Sequence, residues 1–413
     1  MKMSQAFIYT FKDIPSEIKG TSVSLLWRAG FIDRLGSGIY SFLPLGWRVH
    51  QKISQIIREE MNKIAALEIC LPALQPKELW RETSRWDKID PPLFQLKDRH
   101  GKELALGSTH EEVITDIVRK RVKSFKDLPL ILYQIQAKFR NEQRATSGLL
   151  RTREFIMKDA YSFHPDEENL EDTYKKIISA YKKIFQRCGL PTLQVKADTG
   201  TIGGVSSHEF MVVSQAGEDK ILLCPKCGFA ANVEVYQDDN CPSCKSRLEQ
   251  KDTIEIAHIF NLGTEYSEKM GAYYLDNKDK RQPIVMGCYG IGVGRLLASI
   301  VEVSHDKNGI IWPKNIAPFQ IHLVLLNNEK KIIEQANKIY QDFTKENIDV
   351  LLDDRPISAG QKLVESDLIG IPLRVIISSK TVEKNQVEIK ARAGEKTSYL
   401  DMAGMVDKIK KML

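Results

Sequence analysis

The stretch that most constrains this 413-residue chain is LILYQIQAKFRNEQRATSGLLRTREFIMKDAYSFH, residues 130–164. Two runs rich in aliphatic and aromatic residues flank a polar loop, so the segment reads as a long pair of strands. Arg140, Arg144, Arg151 and Arg153 cluster around the loop, and Phe155 follows on the returning strand. Planar guanidinium groups suit phosphate oxygens because each donates two parallel hydrogen bonds. An aromatic face beside them could stack on a purine. A basic hairpin on the surface is the plain alternative for the same residues.

The elements around this hairpin do not alternate strictly. Helical pattern covers Ser22 to Gly30, and Val49, Ile53, Ile56, Ile57, Met61 and Ile64 recur at helical spacing between Trp47 and Ala66. EICLPAL (68–74) reads as a strand. Asp166 to Arg187 reads as a helix, with an acidic start, a basic end and Gly189 and Pro191 beyond it. Such a mixture predicts an α+β domain on an antiparallel sheet. From Phe319 the character changes. IHLVLL, a helix over Lys330 to Lys345, IDVLLDD, a helix from Ser358, LRVIIS, VEIKAR and a last helix predict a separate α/β domain of about 95 residues. The expected division is 1–223 with 253–318, an insert at 224–252, and 319–413.

Composition bounds the rest. The net charge of +6 is compatible with an RNA partner without requiring one. No apolar run approaches the roughly 18 residues of a membrane span, and the N-terminal stretch lacks the apolar core of a secretory signal. The cytoplasm is the expected compartment. Of seven cysteines, four form two pairs: Cys224-Pro-Lys-Cys227, thirteen residues, then Cys241-Pro-Ser-Cys244. In a reducing compartment this pattern points to thiols or a metal site rather than a disulfide framework. The spacing resembles a small structural zinc ribbon, with a metal-free loop as the alternative.

GCYGIGVGRLLASIVE (287–302) places glycines before an apolar helix. It contains G-x-G but no G-x-G-x-x-G, and no βαβ unit with a downstream acidic residue follows, which argues against a dinucleotide fingerprint. Glycines that let a helix lie close to a sheet, with Arg295 over the sheet surface, fit better.

FR-x-E, a loop and R-x-x-EF resemble motif 2 of the class II aminoacyl-tRNA synthetases. GIGVGR before an apolar helix resembles motif 3. GIYSFLPLGWRVHQKISQIIREEM with EICLPAL resembles motif 1, the dimer-forming helix and strand. Five longer stretches narrow the resemblance to the bacterial-type prolyl enzymes: LALGSTHEEV (104–113), KFRNEQRATSGLLRTREFIMKDAYSFH (138–164), ADTGTIGGVSSHEFMV (197–212), the glycine run above, and DDRPISAGQKLVESDLIGIPLRVII (353–377).

The resemblance implies a class II catalytic domain with a C-terminal anticodon-binding domain. It implies activation of L-proline with ATP and Mg²⁺, transfer to tRNA(Pro), and a homodimer. Arg140 would bind the α-phosphate and the amino-acid carboxylate. Arg151 and Arg295 would hold the γ- and β-phosphates, with Arg295 and Phe155 sandwiching the adenine. Glu142 would help position the nucleotide or the tRNA 3′ end, and Thr152 would belong to the nucleotide site. Thr109 and Glu111 match the amino-acid loop, Glu111 facing the secondary ammonium. Met157, Phe163 and Phe210 would wall the pyrrolidine ring, with His208 at the edge. Arg144 would touch the acceptor stem, and Arg355 and Lys362, beside Asp353, Asp367 and Arg374, would meet the anticodon.

The chain also departs from that family. Many bacterial members carry a large editing insertion between motifs 2 and 3, where this chain has about 30 residues. No hydrolytic domain fits there, so a separate trans-editing protein is expected. Ala145-Thr146-Ser147 replaces a common Pro-Arg-Phe in the motif 2 loop. Two other readings stay open: a different class IIa synthetase, and an inactive synthetase-like RNA-binding module, against which the retained Arg140 and Arg295 speak.

Overall fold

The computed structural model describes residues 1–413. It divides into two compact units: Gly36–Ile39 with Ser54–Ser299, and Met1–Leu35 with Tyr40–Ile53 and Ile300–Leu413. No helix is long and apolar enough to cross a membrane.

The first of these units holds a nine-stranded sheet. Its strands in chain order are β1 (Leu67–Glu68), β2 (Leu130–Phe139), β3 (Glu154–His164), β4 (Leu193–Ala197), β5 (Ser206–Val213), β6 (Asp219–Leu223), β7 (Ala230–Asn232), β8 (Glu249–Gly263) and β9 (Val285–Gly292). They lie in the order β5-β4-β7-β6-β8-β9-β3-β2-β1, and β5 also pairs with β8. Only the β4–β7 and β1–β2 pairings are parallel. The expected hairpin is therefore the pair β2–β3, in register from Leu130↔Phe163 to Phe139↔Glu154.

One face of the sheet is covered by helix α2 (Glu167–Arg187), which follows the helix α1 (Glu111–Arg121) in the chain. The Asp166 carboxylate accepts a hydrogen bond from the Asn169 N–H and caps the start of α2. Leu170, Tyr174, Ile177, Tyr181, Ile184 and Phe185 recur at helical spacing and are buried. Tyr181 and Phe185 pack on Phe210 of β5, and Tyr174 packs on Tyr289 of β9. That face is thereby closed, and any cleft has to form on the other.

The sequence EICLPAL is not the expected strand. Only its ends touch ladders, at Glu68 and Leu74. Pro72 has no N–H to offer a ladder. Side chains satisfy the backbone instead: Leu71 N–H donates to Gln134 Oε1, and Gln136 Nε2 donates to the Leu71 carbonyl.

The second unit carries a five-stranded mixed sheet, β10 (Ile321–Leu325), β11 (Val350–Asp353), β12 (Leu373–Ile377), β13 (Gln386–Ala391) and β14 (Thr397–Asp401), ordered β11-β10-β12-β13-β14. Helix α3 (Val293–Val303) follows β9 directly and runs on past the end of the first unit. Helices α4 (Lys330–Lys345), α5 (Ala359–Ile369) and α6 (Met405–Met412) follow. Ile332, Ala336, Ile339 and Phe343 of α4 join Leu323, Leu352, Val375, Val387 and Ile409 in one apolar core. The α/β pattern read from sequence is realised here, with β14 as an unforeseen edge strand.

Candidate active site

On the sheet face opposite α2 lies a cleft lined by Thr109, Glu111, Arg140, Glu142, Thr152, Phe155, Met157 and Arg295, among others. Strand alternation explains the selection. Phe155, Met157, Asp159 and Tyr161 of β3 all face it. The intervening Lys158 points to α2, where its ammonium meets the Tyr181 hydroxyl and the Tyr289 carbonyl. On β9 the cleft is lined by Cys288, Gly290 and Gly292. Glycine at 290 leaves the floor open, since a Cβ there would come within 3.4 Å of Met157 Sδ.

Two expected wall residues and the expected edge residue lie elsewhere. Phe163 has the right parity but sits beyond the cleft, fully buried with Val113 and Ile114 of α1. Phe210 and His208 of β5 face α2: Phe210 packs on Tyr181, and His208 Nδ1 bonds the Tyr174 hydroxyl at 2.8 Å. Their neighbours Ser207 and Glu209 take the other face. Ser207 Oγ lies 2.9 Å from His258 Nε2, and Glu209 Oε1 lies 3.5 Å from His258 Nδ1.

Glu255 and His258, not anticipated from sequence, reach the same face because β8 bulges. Phe210 pairs with Ala257 but Met211 with Glu255, so Ile256 is the extra residue. Without it, residues three apart would face opposite ways. Burial alone would raise the Glu255 carboxyl, but its bond to His258 and the charges of Arg295 and Arg140 prevail and hold it at about 2. Burial, and then the neighbouring Glu255, push Glu209 up to about 8.

The arginines differ in how they are held. Arg295 donates to the Leu150 carbonyl, the Glu255 carbonyl and Glu255 Oε2, at 2.8, 2.9 and 3.2 Å. Arg151 is clasped by Glu142 and Glu218, each at 2.9 Å, on an adjoining opening. Arg140 forms no salt bridge and lies over the Phe155 ring at 5.2 Å. The cation over the Phe155 ring is therefore Arg140. Burial and the charge of Arg295 lower the Arg140 pKa.

Deeper in the cleft, the Thr109 hydroxyl donates to Glu111 Oε2 at 2.6 Å and the Cys288 thiol to Oε1 at 3.1 Å. His110, not Thr109, stands at the N-cap of α1, and it makes no side-chain cap bond.

Residues 94–304 match the tRNA synthetase class II core domain (G, H, P, S and T), and residues 320–412 the anticodon binding domain. The proline–tRNA ligase of Halothermothrix orenii is 36% identical over 564 aligned positions, covering 100% of this chain and 99% of that one. The chain belongs to the proline–tRNA ligase family. The prolyl-tRNA synthetase of Giardia lamblia, solved with prolyl-adenylate, superposes with a TM-score of 0.78 at 22% identity, over 94% of this chain and 74% of that one. That of Cryptosporidium parvum, solved with halofuginone and AMPPNP, gives 0.80 at 17%, over 95% and 76%. Alignment with the Halothermothrix ligase runs to 564 positions against 413 residues here, so that member of the family carries residues this chain lacks.

Outside the cleft, Arg144 is exposed on the β2–β3 loop. Arg355 is half-buried and bonded to Asp353 and Glu365, both at 2.7 Å. Arg374 is buried against Asp367. Lys362 corrects a sequence expectation: it is fully buried, and its ammonium donates to the Leu325 carbonyl at 2.7 Å, so it has no surface for an anticodon base.

The four insert cysteines converge. Their Sγ atoms all lie within 4.8 Å of one another, with Cys224–Cys244 at 3.5 Å and Cys227–Cys241 at 3.4 Å. These separations are too long for disulfides. Four thiolates around one zinc at about 2.3 Å stand at roughly such spacings. Each pair closes a tight knuckle, with Gly228 N–H donating to the Cys224 carbonyl and Lys245 N–H to that of Cys241.

Proposed function

We propose that this chain activates L-proline with ATP to prolyl-adenylate and pyrophosphate, then transfers proline to the 3′ end of tRNA(Pro). The observation that carries this is one cleft holding a buried carboxylate, Glu111, an unpaired cation, Arg140, and the Phe155–Arg295 nucleotide end. Glu111, oriented by Thr109, takes the secondary ammonium. Arg140 takes the carboxylate and the α-phosphate, where charge gathers as a carboxylate oxygen attacks phosphorus and the bond to the β-phosphate breaks. Arg295 and Arg151 take the leaving phosphates, with Glu142 and Thr152 beside them. A tRNA hydroxyl then attacks the prolyl carbonyl and AMP leaves. Orientation and fixed charge suffice, with no covalent enzyme intermediate.

Mg²⁺ would neutralise triphosphate oxygens. Glu209 and Glu255, with ligand atoms within 4.8 Å of each other and of His258, offer hard oxygen donors of the kind it requires. Cys224, Cys227, Cys241 and Cys244 would hold a structural zinc. Arg144 and Arg355 remain the tRNA-facing candidates. A cytoplasmic homodimer and editing by a separate protein complete the reading.

Aminoacylation of tRNA(Pro) with proline, alanine and cysteine side by side tests it. Proline should be charged efficiently. Alanine should be charged measurably, because each missing methylene costs a synthetic pocket only about 10–200-fold. The alanyl product should persist in the presence of the chain. Failure to charge proline would refute the proposal, and rapid hydrolysis of alanyl-tRNA by the chain alone would refute the absence of editing.

A further inference from the structure

Two adjacent carboxylates, Glu111 and Glu112, stand fully buried at the first turn of α1. Glu111 lines the cleft, and Glu112 does not. Two such groups in a low-dielectric site do not both ionise unless a cation compensates one of them. That cation is Arg85. Its Nη1 donates to Glu112 Oε1 at 2.9 Å and lies 3.5 Å from Glu111 Oε2. The Thr83 hydroxyl donates to the same Glu112 oxygen at 2.8 Å. Trp80 and Tyr266 present ring faces to the guanidinium at 5.3 and 5.5 Å. Arg85 Nε and Nη2 and Glu112 Oε2 have no hydrogen-bond partner. A buried pair so incompletely bonded is a poor stabiliser. What it supplies is a charge balance.

We infer that Arg85 is a positioning residue for the amino-acid subsite: by neutralising Glu112 it leaves Glu111 one full negative charge for the ammonium of the substrate. The inference rests on the reading of Glu111 given above. The other groups facing this carboxylate fit. Lys138 and Asp159 close on each other at 2.7 Å. Burial, with the charge of Lys138, pushes His110 down to about 4, so it is neutral at physiological pH. Burial holds Tyr161, Tyr266 and Cys288 in their protonated forms. Around the subsite, Glu111 then has only the longer 3.5 Å approach of an Arg85 already bonded to Glu112, and Arg140 has no carboxylate partner. The subsite is therefore matched to a zwitterion with an uncharged side chain, and it rejects amino acids whose side chains add a charge.

Pyrophosphate exchange with the full chain, proline varied from pH 6 to 9, tests this. Arg85→Gln is expected to raise KM for proline about tenfold or more at pH 7 and to leave KM for ATP unchanged. In that variant the two carboxylates share a proton that has to leave before the ammonium binds. Its KM for proline should therefore fall as pH rises, while the parent profile is flat. Arg85→Gln with Glu112→Gln removes the cation together with the charge it balances, and should bring KM for proline back toward the parent value with a flat profile. An unchanged KM in Arg85→Gln, or a double variant no better than the single one, overturns the inference. Should Arg85→Gln not fold, Arg85→Lys and the double variant carry the test. Both are expected near the parent KM, and a raised KM in both overturns the inference. Glu111→Gln separates the two levels: an unchanged KM for proline there refutes the reading of Glu111 itself.

Discussion

Arg140→Ala is expected to lower proline-dependent ATP–pyrophosphate exchange by about 10²–10³-fold, a loss on the order of 3–4 kcal/mol of transition-state stabilisation. Two features make the loss large. The guanidinium lines the same cleft as Glu111, Phe155 and Arg295, so in the proposed reaction it stabilises the reacting carboxylate and phosphate together. It is also held ready, over Phe155 and free of any salt bridge, so no internal bond has to break when substrate arrives. The same freedom predicts a small structural effect. Nothing in the protein is left unpaired by its removal, and the repulsion between Arg140 and Arg295 is relieved. Melting temperature and far-ultraviolet dichroism should match the parent. Near-normal exchange would remove Arg140 from the mechanism. Arg295 is the contrasting case. Its bonds to the carbonyls of Leu150 and Glu255 tie the β2–β3 loop to β8, so Arg295→Ala should cost stability as well as exchange.

Loss of metal from the insert is expected to be the largest structural effect. Protein purified without chelator should carry one zinc per chain, and Cys224→Ser or Cys241→Ser should carry none. The insert has almost no core of its own. Cys224, Cys241 and Leu248 are its buried cluster, and two of these three would be ligands. A module that small depends on its metal, whose binding in isolated zinc-finger peptides is worth about 10–16 kcal/mol. Removing the ion should release the turn between β6 and β8 and lower the melting temperature by several degrees. Proteolysis should appear at Lys226, Lys245 or Arg247, while KM for proline stays unchanged. A chain that contains no zinc and melts identically with and without chelator would refute the site.

The arginine-flanked hairpin was legible because strands, a polar loop and Phe155 are local facts of the chain. The cysteine pairs were legible for the same reason, since two knuckles separated by thirteen residues can meet in few ways. The helix from Lys330 to Lys345 was legible to the residue, because its apolar spacing matches the core it enters. Which face a strand residue takes was another matter. His208 and Phe210 are as suitable in type as Ser207 and Glu209, and only the covering of one sheet face by α2 separates them. The bulge at Ile256 has no local signature, yet it brings Glu255 and His258 to one side of β8. Lys362 is coded like a surface cation, and only tertiary packing turns its ammonium inward to the Leu325 carbonyl.

The sequence by itself thus determined the family, and it showed the arginine-flanked hairpin and the two cysteine pairs, because these depend on residue types at short spacing. Tertiary structure alone decided which of those residues share a wall. It also paired Arg85 with Glu112, since burial, sheet parity and charge balance arise only when segments distant in the chain exclude water together.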